Sequence, residues 1–259
     1  MNAADTQVPL FDLHCHLDLF PEPSRAFEEC RKSKIITLTV TTTPRAWDQN
    51  RKWAAGNPYV VPALGLHPEL VSSHGGEVEQ LVVALEGVST IGEIGLDGSP
   101  RYRASYENQR RIFRRVVNAA AREPGRILSI HSRSAVKDVL NALEPHSRAL
   151  RPILHWFLGT PSELRTAVGL GCYFSVNGAM VGSERGKIVV KAIPLDRLLL
   201  ESDAPFRKEA GTTAGRVADL EATIKSVASL RGSTPLALRA QIARNSCDLL
   251  GISLPLNSQ

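Results

Sequence analysis

Short apolar runs alternate along the chain with longer segments whose apolar residues recur at helical spacing. The short runs are rich in Leu, Ile and Val and lack regular polar alternation, which is typical of parallel strands buried on both faces. Eight such runs predict strands at residues 8–13, 35–41, 59–64, 88–93, 127–130, 152–155, 172–175 and 197–201. Helices are predicted between them at residues 23–32, 43–55, 77–86, 105–122, 134–143, 162–169 and 184–192.

This alternation predicts the fold class. Eight strand–helix units in 259 residues match the length and repeat of a (β/α)8 TIM barrel, so we expect one domain over residues 1–259. A doubly wound open sheet is the alternative arrangement of the same elements. In both folds the active site is expected beyond the carboxyl ends of the strands, because parallel strands present those ends together.

Composition excludes several classes of protein. With 22% charged and 43% hydrophobic residues, the chain is neither disordered nor fibrous. The four cysteines, at positions 15, 30, 172 and 247, form no CxxC pair, so a reducing compartment is expected rather than a disulfide framework. No secretory signal is visible, and no apolar run approaches the roughly 20 residues that span a bilayer. We therefore expect a cytoplasmic protein that does not enter a membrane.

The net charge of +5 is unevenly distributed. Residues 101–133 contain nine arginines and only two glutamates, so this segment carries more than the whole positive excess. Arg101 and Arg103 follow the fourth predicted strand and are expected to contact substrate on the active face. The remaining arginines of the following helix, between residues 110 and 115, are expected on the outside of the barrel. They form either a solvated face or a docking face for a partner.

Two histidines close the first predicted strand, in the segment DLHCHLD. His14 and His16 are two residues apart, so on a strand their imidazoles lie on one face. Two imidazoles beside a carboxylate form half of a metal site. A hydrogen-bonded histidine pair at a strand end is the alternative interpretation of this motif.

Four further titratable residues stand where predicted strands end: Glu93, His131, His155 and Asp203. In a barrel these ends converge on the face that carries the active site. Together with the two histidines of the first strand they provide six donors, more than one closed tetrahedral zinc requires. The set predicts two divalent ions. Mg, Mn and Zn remain open, because mixed imidazole and carboxylate ligation does not select the metal.

The strand order predicts how these donors divide between the ions. Glu93, from the fourth strand, is the expected bridge. The ligands expected to complete the two sites are His14, His16 and Asp203 for one ion, and His131 and His155 for the other. Two ions at bridging distance orient an attacking water, lower its pKa and neutralise charge on a phosphoryl oxygen. Asp203, beside that water, is the expected general base.

Three other residues are candidates for substrate contacts. His67 ends the third predicted strand in GLHPE and is expected to contact the scissile phosphate or donate a proton to a leaving oxygen; capping the strand is the alternative. Arg133 is expected to bind phosphate as a fork, or else to form a salt bridge. Asn177 either contacts nucleic acid or makes the turn in Asn177-Gly178.

Asp97 is expected to orient a ligating histidine or to cap a helix.

The order of these motifs resembles that of a known family. The segments DLHCHLD, GLHPE, GEIGLD, HSR, HWF, YFSVNG and IPLDRLLLESDAP are similar, in sequence order, to the motifs of the TatD-type deoxyribonucleases of the metal-dependent amidohydrolase superfamily. The resemblance runs from about residue 11 to residue 205. It departs from the family pattern after Leu96, at Leu158 and over residues 211–215.

The resemblance implies a TIM barrel, two divalent metals held by the six donors named above, and hydrolysis of DNA phosphodiesters, typically from the 3′ end of a single strand. The opening segment DLHCHLDLFPEP further resembles TatD-like members of Qat anti-phage defence systems, which implies protein partners in a defence assembly. Two alternatives remain. The same bimetal site would act on another ester or amide, such as an aminoacyl-tRNA, or the chain would serve mainly as a subunit of a defence complex.

Overall fold

The computed structural model describes residues 8–253, and its backbone contains the eight predicted strands. All strand pairs are parallel, and every pair joins two strands that are consecutive in sequence. The strands are β1 (Leu10–Cys15), β2 (Ile35–Val40), β3 (Val60–Ala63), β4 (Thr90–Gly95), β5 (Arg126–His131), β6 (Leu150–His155), β7 (Tyr173–Val176) and β8 (Leu198–Leu200). Residues 1–7 and 254–259 of the predicted domain lie outside the described residues.

The strands form two ladders that meet at two seams. One ladder joins β1, β2 and β3, and the other joins β4 to β8 in order. At the first seam Leu64 bridges Ile91 in parallel, and at the second the amide of Asp203 donates to the carbonyl of His14 at 3.0 Å. The consecutive strand order with β1 beside β8 is that of the predicted (β/α)8 barrel, not of an open sheet.

Helices follow the strands, mostly where the pattern predicts them. The α-helices are α1 (Pro23–Ser33), α2 (Trp47–Ala54), α3 (Val71–His74), α4 (Val78–Ala84), α5 (Tyr106–Ala120), α6 (Val136–Leu143), α7 (Pro161–Gly169), α8 (Gly178–Gly182), α9 (Glu184–Ala192), α10 (Thr213–Leu230) and α11 (Pro235–Leu250). The predicted helix over 43–55 opens with a 3-10 turn, Pro44–Ala46, before α2 begins. The two long C-terminal helices α10 and α11 were not predicted.

Alternation along the strands separates the polar site from the apolar core. In β5, Ile127 and Ser129 lie on the same strand face as His131, so the apolar residue sits lower and the histidine at the carboxyl end. Ile153 in β6 and Leu199 in β8 occupy the corresponding lower positions, and they share a buried cluster with Ala243 of α11. The site therefore rests on a packed apolar layer that helix α11 extends.

Among residues 8–253, no helix has both the length and the apolar character required to cross a membrane. The four cysteines are all buried and unpaired, in keeping with the expected absence of a disulfide framework.

Candidate metal centre

One oxygen of Glu93 faces the residues contributed by β1 and the loop after β8. Glu93 Oε2 lies 3.4 Å from His14 Nε2 and 3.3 Å from His16 Nε2. Both of these nitrogens lie 3.7 Å from Asp203 Oδ1. All four side chains are buried. The predicted first ligand group is thus assembled around one carboxylate oxygen.

The other oxygen of Glu93 faces the opposite side of the barrel. Glu93 Oε1 lies 3.0 Å from His131 Nδ1 and 2.9 Å from His155 Nε2. His67 Nε2, after β3, is 3.1 Å from the same oxygen. The structure therefore brings together all six predicted metal-ligand candidates, and adds His67 to the second group.

The spacing within each group fits a divalent cation. Bonds of about 2.1 Å hold ligand atoms about 3.0 Å apart in octahedral geometry and about 3.4 Å apart in tetrahedral geometry. The nitrogen–oxygen distances of 3.3–3.7 Å around Glu93 Oε2 are near this range and too long for good hydrogen bonds. His14 Nε2 is buried and has no hydrogen-bond partner among the described residues. A cation bound by His14, His16 and Asp203 would satisfy that atom.

The second ring nitrogen of three histidines meets a polar group that fixes the imidazole. His14 Nδ1 lies 2.7 Å from Ser129 Oγ, and His131 Nε2 donates to Asp97 Oδ2 at 2.9 Å. His155 Nδ1 faces Glu201 Oε1 at 3.7 Å. Such partners set the tautomer and orientation of a ligating histidine. Each leaves the opposite nitrogen pointed at Glu93.

Glu201 is a site residue that the sequence reasoning missed. It is fully buried at the end of β8, and it accepts hydrogen bonds from Ser175 Oγ and from Asn177 Nδ2, the latter at 2.7 Å. Its position two residues before Asp203 in a strand-terminal segment was the available signal. A buried carboxylate behind His155 holds that ring in place and adds negative charge to the centre.

Asn177 does not line the cleft, so the structure favours the turn over the substrate contact. Its side chain is fully buried; Oδ1 accepts from the amide of Met180 at 3.1 Å, while Nδ2 donates to Glu201. Asn177 therefore caps α8 and fixes Glu201. The turn interpretation accounts for it, because both ends of the amide already have partners.

Burial and charge set the pKa values of the donors. Burial raises the pKa of Asp203 to about 7, although the electrostatic interactions with His155 and His16 lower it. Burial and the neighbouring His155 lower the pKa of His14 to about 4, which keeps its imidazole neutral as a metal ligand requires. Burial alone would raise the pKa of Glu93, but the charges of the surrounding histidines hold it well below its usual range. The central carboxylate is therefore ionised.

His67 presents a proton to the centre. Its Nδ1 accepts from the backbone amide of Glu69 at 3.1 Å, so the neutral imidazole carries its proton on Nε2, the atom that faces Glu93. The side chain remains partly accessible at the cleft. This tautomer is suited to donate to a phosphate or leaving oxygen.

A cleft of about 1230 Å³ opens above the donors, and the predicted substrate arginines differ in their relation to it. Arg133 lines the cleft. Arg101 and Arg103 are exposed and are not among its lining residues, so their expected contact with substrate is not supported. They lie on the 3-10 turn Pro100–Ser105, in which successive side chains point about 120° apart. The turn directs Tyr102 between them toward Glu69, to which its hydroxyl donates.

Two of the four arginines of α5 are neutralised by carboxylates within the described residues. Arg110 pairs with Glu107 and lies near Asp138, and Arg115 pairs with Glu79. The solvated-face interpretation fits these pairs. A docking role in a defence assembly remains a prediction, and the structure adds no contact that supports it.

Comparison with known proteins supports the fold and the class of enzyme. The TatD related DNase family model matches residues 11–251. The chain is 31% identical to Mus musculus TATDN3, over 92% of this chain and 86% of the mouse chain. It is 29% identical to the 3′-5′ ssDNA/RNA exonuclease TatD of Escherichia fergusonii, over 89% and 92% of the two chains.

Among solved structures, YJJV, a TatD homologue from Escherichia coli k12, matches with a TM-score of 0.80 and 24% identity, covering 94% of this chain and 98% of that one. This likeness confirms the predicted barrel. The family match covers most of the chain and includes every donor around Glu93. The chain therefore belongs to the TatD-related DNase family and is a hydrolase that acts on ester bonds.

Proposed function

We propose that this protein is a DNase that uses two divalent metal ions to hydrolyse single-stranded DNA from its 3′ end. One observation carries the proposal: the two oxygens of Glu93 face two separate donor groups on opposite sides of the barrel. A carboxylate in that position is suited to bridge two cations. The proposed 3′–5′ direction is that of the Escherichia fergusonii relative, a 3′-5′ ssDNA/RNA exonuclease.

The residues divide into two ligand groups with Glu93 shared between them. His14, His16 and Asp203 would hold one ion, and His131 and His155 the other. When bound, ions in such a pair activate water and neutralise phosphoryl charge, whether they are Mg, Mn or Zn.

The remaining chemistry is assigned to side chains at the edges of this centre. Asp203 would accept the proton of the attacking water at its carboxylate, because it lies beside the position of the ion that would bind that water. His67 would donate from Nε2 toward the scissile phosphate or the leaving oxygen. Arg133, on the cleft wall, would hold a phosphate oxygen.

The test compares wild type with His131→Ala and Asp203→Asn on 5′-labelled single-stranded DNA, with Mg, Mn or Zn added. We expect product ladders that shorten from the 3′ end with wild type and no cleavage above background with either variant. His146→Ala is the matched control, because this histidine contacts Asn118 away from the cleft and should retain full activity. Undiminished cleavage by both site variants would refute the proposal.

The same preparations distinguish the alternative substrates. Hydrolysis of an aminoacyl-tRNA or another ester that depends on His131, with DNA left intact, would assign the centre to that chemistry instead. RNA of the same sequence, assayed in parallel, measures the preference of the site for deoxyribose. The proposed defence role rests on the opening segment alone and is tested by co-purification with candidate neighbours.

A further inference from the structure

The cleft has two unlike flanks, and one of them is apolar. Leu19, after β1, and Phe206, after β8, line the cleft and are 41% and 63% exposed. The Phe206 ring stands edge-on to the His16 imidazole, with 5.0 Å between the centroids. We call Leu19 and Phe206 the apolar flank. A large aromatic side chain left open beside buried metal-ligand candidates offers its face to a planar ligand.

The other flank carries cations without carboxylate partners. Arg133, Lys137 and Arg185, here called the basic flank, line the cleft, and none has a salt bridge or side-chain hydrogen bond within residues 8–253. Two carboxylates of the cleft lining accept hydrogen bonds from other groups and, in the described part of the chain, form no salt bridge with the basic flank. Asp138 accepts from Tyr106, and Glu163 accepts from the amide and hydroxyl of Thr160. Positive charge on this flank is therefore available to a polyanion.

The barrel places these flanks on different sides of the metal centre. The apolar flank follows β1 and β8, the strands that carry His14, His16 and Asp203. In the basic flank, Arg133 and Lys137 follow β5, the strand that carries His131, and Arg185 follows β7, next to the strand that carries His155. Since β5 is four strands from β1 in an eight-strand ring, Arg133 and Lys137 face the apolar flank across Glu93, while Arg185 lies on the side of the cleft next to β8.

We propose that the terminal nucleoside of the DNA strand stacks on Phe206, while the phosphates of the rest of the strand run along the basic flank. This inference rests on the proposed nuclease function. Hydrolysis of the last P–O3′ bond leaves a 3′-hydroxyl on the retained strand and releases a terminal nucleotide, whose base carries no charge and whose only phosphate is the scissile one, so its base matches an apolar aromatic surface. The retained strand carries one charge per nucleotide, which matches Arg133, Lys137 and Arg185. Phe206 is thereby a binding residue for the end that is cleaved.

The first experiment removes the base and the ring separately. Wild type, Phe206→Ala and Phe206→Trp are assayed on a ten-nucleotide strand whose 3′-terminal residue is either thymidine or an abasic tetrahydrofuran. Wild type should cleave the thymidine end at least about fivefold faster in kcat/KM, the lower end of a single base-stacking contact. Phe206→Ala should remove that difference, and Phe206→Trp should keep it. Leu236→Ala, an exposed apolar residue outside the cleft, is the control.

The second experiment tests the basic flank through strand length and salt. Lys137→Ala and Arg185→Ala should lower kcat/KM more on a ten-nucleotide strand than on a dinucleotide, and should flatten the dependence on salt. Arg114→Ala, an exposed arginine of α5 outside the cleft lining, should keep the wild-type length dependence.

Two results would overturn the inference. One is an equal loss by Phe206→Ala on base-bearing and abasic ends, which would mean that the ring only supports the ligands. The other is an equal loss by the lysine and arginine variants at both lengths. If wild type cleaves no DNA, the proposed function fails. In that case fluorescence anisotropy measures the binding of the same strands to Asp203→Asn, with and without Phe206→Ala. The inference is supported if Asp203→Asn binds the thymidine end more tightly than the abasic end and Phe206→Ala removes that difference. It is overturned if the difference is absent or does not depend on Phe206.

Discussion

Arg216 is fully buried in α10 and ties that helix to the strands beneath the metal centre. Its Nη1 lies 3.3 Å from Asp12 Oδ2 and 3.1 Å from Thr37 Oγ1, and its Nη2 lies 3.2 Å from Cys30 Sγ. Asp12 also accepts from the amide of Ser202 at 2.8 Å, one residue before Asp203. Arg216→Met keeps most of the side-chain volume and leaves the Asp12 carboxylate buried without its cation.

The expected loss follows from that isolated charge. Removing one partner of a buried ion pair costs about 3–5 kcal/mol in the free energy of unfolding. In a protein of this size, each kcal/mol lowers the melting temperature by about 2–4 °C, so Arg216→Met should melt about 6–20 °C below wild type. The loss should be measured by circular dichroism, with urea unfolding for the free energy.

Two further variants identify the cause. Asp12→Asn combined with Arg216→Met removes both charges and should recover at least half of the lost stability, because a neutral pair needs no buried counterion. Lys225→Met, at an exposed position of the same helix, should melt within about 1 °C of wild type. If Arg216→Met melts like Lys225→Met, or the double variant is less stable than the sum of the single effects, the buried pair does not support the fold as argued.

Three other changes test the centre and its surroundings. Asp97→Asn should weaken metal binding about 10–100-fold in calorimetric titration, since Asp97 accepts the proton of His131 Nε2 and orients the opposite nitrogen; unchanged affinity would contradict this role. Chelation with EDTA should lower the melting temperature of the metal-loaded protein, because a ligand held at 100 times its Kd stabilises the folded state by about 2.7 kcal/mol; an unchanged temperature would argue against a bound cation. Gly95→Ala should destabilise the protein by more than about 1 kcal/mol in urea unfolding, because Gly95 has φ of 139° and a Cβ there would overlap the backbone of His131; wild-type stability would contradict the strain.

The strands and the candidate ligands were predictable together, because each candidate ligand stands at or just after the end of an apolar strand-like run. Apolar runs buried on two faces stand out in a sequence, and a histidine or carboxylate directly after such a run interrupts the pattern. His131 and His155 could be found in this way without knowing how the strands pair. The two C-terminal helices were harder. Helix α10 buries the polar residues Arg216, Asp219 and Thr223 along the same face as Leu220, Ile224 and Val227, so polar residues interrupt the apolar stripe on which helix prediction depends.

The substrate contacts were the least predictable part of the site. Whether Arg101 reaches the cleft depends on the direction of a short 3-10 turn, and whether Phe206 is open depends on the loop after β8. Neither is encoded in hydrophobic periodicity. Glu201 was accessible to reasoning, because it lies on the strand face of Leu199 and ends the run. Asp203, two residues later in the same segment, is the more conspicuous carboxylate because it stands outside the apolar run.

The pairing register of the strands shifts next to two of the metal-ligand candidates, His14 and Glu93. The β1–β2 register shifts between Asp12 and Cys15, around His14, and the β4–β5 register shifts between Ile91 and Ile94, around Glu93. Bulges of this kind redirect side chains beside active sites. The same two strands also border the seams, where Glu93 N donates to Thr41 at 3.0 Å in place of a regular ladder bond. A perfectly regular barrel would satisfy more ladder bonds, but its alternation would turn neighbouring residues to opposite faces. Breaking register at β1 and β4 lets one carboxylate face donors from both sides of the barrel.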